Sequence, residues 1–268
     1  MKKIISLILA AVLALSTLAL VSCNKEDSNN TETLDTLAEK TPEELYEITR
    51  SALSNATKCS VDTTQVIVIE SENDSMTVSS EIISKVDGDN VYTKMSNDAD
   101  PDSIMEIWYV DGMAYVSNES GKMKTEISKE EFLKRYTNGS PSESTLLDIP
   151  ESWFGDIKFE KMGESWVLSF IVSAERYNET FDSLNIEGTI TGTVVYKVFF
   201  DSNGNVEKAT TSFDMLIGGV TAHCDSVSEI TLENVTVTAP ADASSYMLVD
   251  SEGGVTLPPI NVEPDEIK

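Results

Sequence analysis

The sequence predicts an α+β protein that is mainly β: an antiparallel meander with an N-terminal helix and a short helical insertion. Three observations predict it. From Cys59 onward, runs of β-branched and aromatic residues recur with turn dipeptides between them. Neighbouring runs are close enough in sequence to pair as hairpins, which makes their strands antiparallel. Two capping boxes, Thr41 with Glu44 and Ser128 with Glu131, each head a short helical pattern.

The chain begins with Lys2 and Lys3, followed by eighteen mostly apolar residues, 4–21. A positive start and an apolar run read as a secretory signal. By length alone the run also fits a short membrane span. The junction Leu20-Val21-Ser22-Cys23 resembles the bacterial lipobox. That resemblance implies acylation of the Cys23 thiol, cleavage before Cys23 and a lipid-anchored N-terminus; an uncleaved signal anchor is the alternative. Both put the chain on the extracytoplasmic face of the cell membrane. Residues 23–40 are acidic and polar without a helical period and read as a disordered tether.

The domain is expected over residues 41–246. Thr41 caps, Pro42 suits the first helical turn and Glu44 completes the box, so a helix is predicted over 42–56. Leu45, Ile48, Ala52 and Ala56 form its apolar stripe. "VDTTQVIVIE", "MTVSSEIISKV", "NVYTKM", "IMEIWYV" and "MAYVS" follow as strands. Asp111-Gly112 marks a two-residue hairpin loop whose backbone needs positive φ. Ser128 to Glu131 opens a helix through about Tyr136, and "TLLDIPESWF" reads as a further helical turn. "FEKMGESWVLSFIV", "GTVVYKVFF", "VEKATTSFDMLI" and "GGVTAHCDSVSEITLENVTV" complete about ten strands. In "TTSFDMLI", Phe213, Met215 and Ile217 share one face against Asp214. "QVIVIE" and "IMEIWYV" do not alternate; their apolar residues point both ways, so both faces are covered. Residues 247–268, with three prolines and five acids, read as a disordered tail.

Charge narrows the function. The chain has 19 basic and 46 acidic side chains, and residues 1–22 hold two lysines and no acid. The mature chain therefore carries 17 against 46, a net charge of −29. Such a surface repels nucleic acid and anionic headgroups. Beyond Cys23 the thiols are Cys59 and Cys224. Outside the cytoplasm such a pair suggests a disulfide, and two buried thiols are the other reading.

Catalytic chemistry finds little foothold. His223 is the single histidine and fits a strand residue beside a turn. A triad or zinc site needs more partners than the sequence offers. "DSNGN" starts like a calcium loop, but Val206 stands where glycine is needed and Ser212 where a bidentate glutamate is needed. A hairpin turn fits better. Trp108, Trp153, Trp166, Tyr109 and Tyr115 are read first as aromatic core. No cofactor, metal or catalytic residue is expected.

The order of parts resembles a known group. A lipobox and tether precede a Pro-Glu-Glu helix ending "SNATKCSVDT"; then come "EIWYVDGMAYVS", "GKMKTEISKEEF" and a meander closing near "VTAPADASSY". This is similar to lipoproteins of the LolA/LppX-like superfamily, over residues 41–246. The resemblance implies a strongly curved, unclosed half-barrel whose helices lie over its concave face and whose hollow takes acyl chains. On that view Leu45, Ile48, Ala52, Trp108, Phe170 and Phe213 line a hydrophobic-ligand site. The expected protein is a non-enzymatic, lipid-anchored monomer that binds a lipid or lipid-linked envelope component. The alternative is an envelope interaction or sensing module whose hollow is filled by its own side chains.

Overall fold

The computed structural model describes residues 37–54, 56–70, 75–136, 149, 153–163, 165–184 and 188–249. Helix α1 spans Pro42–Ser54. Its capping box is formed both ways: the Thr41 amide donates to Glu44 Oε2 (2.9 Å) and the Glu44 amide to Thr41 Oγ1 (3.3 Å). Six strands follow: β1 Lys58–Glu70, β2 Ser75–Asp87, β3 Asn90–Asn97, β4 Met105–Val110, β5 Met113–Asn118 and β6 Gly121–Glu126. Asp111 (φ 51°) and Gly112 (φ 82°) make the tight β4–β5 turn expected of them. Helix α2, Lys129–Tyr136, is capped by Ser128, whose Oγ accepts the Glu131 amide at 3.2 Å. Then come β7 Phe154–Met162, β8 Ser165–Ser173, α3 Ala174–Leu184, β9 Thr189–Phe200, β10 Val206–Ile217, β11 Val220–Thr231 and β12 Met247–Leu248. Helix α3 is an element that the sequence reading did not identify. The predicted turn over residues 145–154 lies largely outside the described residues.

All twelve strands form one sheet, in the order β12-β6-β5-β4-β3-β2-β1-β11-β10-β9-β8-β7. It is antiparallel except for the parallel β12–β6 pair, and its end strands β12 and β7 do not meet. The meander is therefore two runs, β1–β6 and β7–β11, joined where the last long strand returns beside the first. That seam is long: β1 and β11 pair from Ser60 with Thr231 to Glu70 with Thr221. Together with the helices, the sheet is the curved, unclosed α+β half-barrel that was expected.

One face buries the core. Along β10 the inward residues Ala209, Thr211, Phe213, Met215 and Ile217 are buried while Asp214 and Leu216 are exposed. The helices cover the two ends of this face. Helix α1 lies chiefly against β7 and β8, and α3 against β9. At the other end, Phe132 and Leu133 of α2 pack with Val91, Ile107, Tyr109 and Val116. The core starts inside the predicted tether, because Leu37 is fully buried in it. The sheet, though not the core, reaches into the predicted tail: Met247 pairs with Met123 and the Val249 amide donates to Lys124 O at 2.9 Å, while Met247 and Leu248 are exposed.

Residues 235–246 strap the opposite, outer face. Lys58 Nζ reaches Val235 O (3.2 Å) and Asp87 (2.8 Å), and Lys124 Nζ reaches Ala243 O (2.9 Å). Hydrogen bonding to Lys58 holds the Asp87 carboxyl below its usual range, helped by the Val237 amide against slight burial.

The cysteines are far apart. Cys59 sits opposite Val86, whereas Cys224 sits opposite Ile67, eight residues further along β1. At about 3.3 Å per residue that is roughly 26 Å, against a disulfide reach of about 7 Å between Cα atoms. The disulfide reading is thus overturned. Burial, with lesser contributions from Asp214 and Asp225, pushes the Cys224 thiol up to about 12.

Candidate functional site

The four central strands, β10, β11, β1 and β2, carry a row of polar side chains on the inner face. By register, Thr211 lies beside Ser226, Ser226 beside Gln65, and Gln65 beside Ser80. Thr63 and Ser228 face each other in the adjacent row and share a 2.8 Å hydroxyl hydrogen bond. On the other side lie Phe213, Cys224, Ile67 and Val78, an apolar row. Neighbouring Cα atoms across such a sheet are about 4.5–5.5 Å apart, so the polar groups form one continuous band.

The band is buried but incompletely paired. Gln65 is 1 % exposed, yet neither its amide nitrogen nor its carbonyl oxygen has a hydrogen-bond partner among the described residues. The hydroxyls of Ser80 and Ser84 are in the same state. An orphaned buried group costs about 1–3 kcal/mol, so the paired Gln65 and Ser80, with Ser84 four residues further along β2, are expensive. No inward position of these four strands carries a charge, although nearly a quarter of the chain is charged. The face can offer neutral donors and acceptors within an apolar wall, and no ionic partner.

The β7–β9 end is different. Tyr46 of α1 meets Phe154 and Phe170 edge-on at 4.6 and 5.6 Å. Its hydroxyl donates to Ile149 O (2.8 Å) and accepts from the Ile149 amide (3.0 Å). Phe170 stacks on Tyr196 at 4.9 Å, and the Tyr196 hydroxyl bonds that of Tyr177 on α3. Burial pushes the Tyr196 hydroxyl well above its usual range and that of Tyr177 to about 12, so both stay neutral.

The predicted lining residues divide accordingly. Leu45, Phe170 and Phe213 are buried on the inner face. Ile48 is half-buried and Ala52 is exposed. The buried stripe of α1 runs instead through Leu45, Tyr46, Thr49 and Leu53, because the Tyr46 hydroxyl is anchored on Ile149 and turns the helix about that contact. Trp108 is on the outer face. It packs between Tyr92 (5.2 Å) and Tyr246 of the strap (6.3 Å), while its neighbours Ile107 and Tyr109 point inward. Sequence reasoning missed Gln65 and Ser80, whereas Tyr46 and Leu53 were legible as flanking the apolar stripe of α1. The clearest available signal was a glutamine on the apolar parity of β1, between Val61 and Ile67.

His223 is a strand residue on the outer face. Nδ1 lies 2.7 Å from Asp214 and Nε2 3.1 Å from Asp225. The Asp214 hydrogen bond, with Asp225 adding to it against slight burial, raises its pKa above 6.5. Asp201 closes the β9–β10 turn by accepting the Asn203 and Asn205 amides, each at 2.8 Å. Among the described residues no three His, Cys, Asp or Glu side chains converge to hold a metal. None of the described helices is long and apolar enough to cross a membrane. The lipobox, Leu20 to Cys23, lies outside the described residues.

No family model matches the sequence, and no curated protein matches it. Solved structures do. The lipoprotein LppX of Mycobacterium tuberculosis aligns with 74 % of this chain and 100 % of its own, at 12 % identity and a TM-score of 0.38. LprF of Mycobacterium bovis aligns with 74 % and 96 %, at 13 % identity and a TM-score of 0.33. A LolA-superfamily protein of Nitrosomonas europaea aligns with 74 % and 96 %, at 10 % identity and a TM-score of 0.27. The likeness concerns fold alone, and no residue role is taken from it.

Proposed function

We propose that this chain is an extracytoplasmic lipoprotein, anchored through an acylated Cys23, that binds a hydrophobic ligand on the inner face of its half-barrel. One observation carries the ligand reading. The central strands bury an apolar wall in which the polar groups of Gln65, Ser80 and Ser84 lack partners among the described residues, while the principal helix contacts fall at the ends of the sheet. A molecule seated there gains apolar contact, worth about 25 cal/mol per Å² removed from water. The acidic surface keeps the domain off anionic headgroups, so the tether presents it above the membrane as a monomer. Two or three acyl chains on Cys23 hold it firmly, where a single chain binds reversibly.

A second reading keeps one observation of its own. The interlocked aromatic rings at the β7–β9 end fill that part of the face with side chains, as an interaction module would. Lipid analysis of the protein purified from its own membranes separates the two. Stoichiometric co-purified lipid supports the binding protein, and lipid-free protein supports the module. For the anchor, Cys23→Ala should release the protein from membranes or leave an uncleaved precursor. Mature protein in the detergent phase would remove that part of the reading.

A further inference from the structure

We infer that the central polar band recognises an uncharged hydrogen-bonding group, such as an ester, amide or hydroxyl, within an amphiphilic ligand, and that it discriminates against ionised headgroups. The inference rests on the ligand reading above and names the ligand's chemistry. Gln65 is its centre. A glutamine amide offers two donors and two acceptor lone pairs, and at 1 % exposure none of them is used by a described residue. Ser80, directly across on β2, adds an unused hydroxyl, and Ser84 adds another further along that strand. Thr63 and Ser228 satisfy each other, which leaves the Gln65 row as the part of the band open to a ligand.

The flanking rows fix what surrounds that group. Phe213, Ile67 and Val78 are apolar on one side; on the other, Ala209 and Ile82 flank the Thr63–Ser228 pair, whose hydroxyls bond each other. A ligand matching this face is apolar at both ends of the contact and polar in between. A free fatty acid or an anionic headgroup would bring a full charge to a face on which these four strands turn no lysine, arginine or histidine inward. Burying an unpaired carboxylate is far costlier than burying an ester carbonyl that accepts from Gln65. All the cationic side chains of β10, β11, β1 and β2 lie on the outer parity or at strand ends, as Lys58, Lys85, Lys208 and His223 do.

The test uses the full mature chain, stripped of lipid in detergent and offered monoolein, oleate and octadecane at pH 8. Bound probe is counted by native mass spectrometry. Wild type should take monoolein over oleate by about tenfold. Gln65→Leu should lower monoolein by about tenfold and leave octadecane unchanged. A thermal melt checks that the variant folds. If it does not, Ser80→Ala removes one hydroxyl only and should lower monoolein by about threefold. Equal monoolein uptake by wild type and variant, or oleate bound as well as monoolein, overturns the inference and leaves Gln65 to ordered water. Octadecane bound in those cases keeps the ligand reading intact. Failure of wild type to bind any probe overturns that reading and the inference with it.

Discussion

The inner face is built in two ways. At the β7–β9 end, Tyr46, Phe154, Phe170 and Tyr196 interlock ring on ring, and their hydroxyls find partners in Ile149 and Tyr177. In the middle, Gln65, Ser80 and Ser84 are as deeply buried but have none. Both regions are lined on both sides by apolar side chains, so burial does not distinguish them. What differs is whether the protein itself completes the hydrogen bonding. The first region stabilises the fold. The second forgoes stability in a way that a bound partner can repay.

The largest break in this comparison is Phe170→Ala. It removes a fully buried ring touching three others, and should destabilise the protein by about 3–5 kcal/mol. Denaturant unfolding measures it; a loss under 1 kcal/mol would mean that the aromatic end is not the stabilising region. Tyr46→Phe comes next. It keeps the ring but orphans both groups of Ile149, so a loss of about 1–3 kcal/mol is expected. If Tyr46→Phe were neutral, satisfied and unsatisfied polar groups would not differ in the way argued here.

Two smaller effects lie away from both regions. His223 has a folded pKa above its unfolded value of about 6.5, mainly through Asp214. Its stabilisation is therefore complete below pH 6.5 and disappears as the pH rises through the folded value. With the side chain 47 % exposed, the change should stay below about 1 kcal/mol. An NMR titration of the ring should give a midpoint above 6.5, and His223→Gln should flatten the stability profile over that window. A midpoint at or below 6.5 contradicts the Asp214 contact. Ala52→Trp should change stability by no more than about 0.5 kcal/mol and leave ligand uptake unaltered, because Ala52 faces solvent. Lost uptake in Ala52→Trp would restore the helix stripe expected from the sequence.

Local signals were legible and long-range ones were not. The Thr41–Glu44 box, the Asp111-Gly112 turn and the shared face of Phe213, Met215 and Ile217 each depend on residues within a few positions, and each formed as read. The face of Trp108 was misread because the one charge on its parity, Glu106, stands among apolar Ile104 and Val110. Its register with β3 and β5, and the strap from residue 246, decide it. The α1 stripe is rotated by a tyrosine whose hydroxyl partner is 103 residues away. Helix α3 lies between strands in a stretch with only two buried positions, Ala174 and Tyr177, among those described. The polar band was invisible for the same reason. Gln65, Ser80, Ser226 and Thr211 become neighbours only when β11 returns beside β1.

The central claim is that the middle of the inner face is completed by a ligand. Its most direct test is native mass spectrometry of the mature protein taken from its own membranes, before and after lipid extraction, alongside Gln65→Leu handled identically. We expect wild type to carry one neutral, ester- or amide-containing lipid at near-stoichiometric occupancy, and Gln65→Leu to carry about tenfold less while melting no lower than extracted wild type. Wild-type protein that emerges without bound lipid, with a mass equal to the acylated chain alone, would contradict the claim.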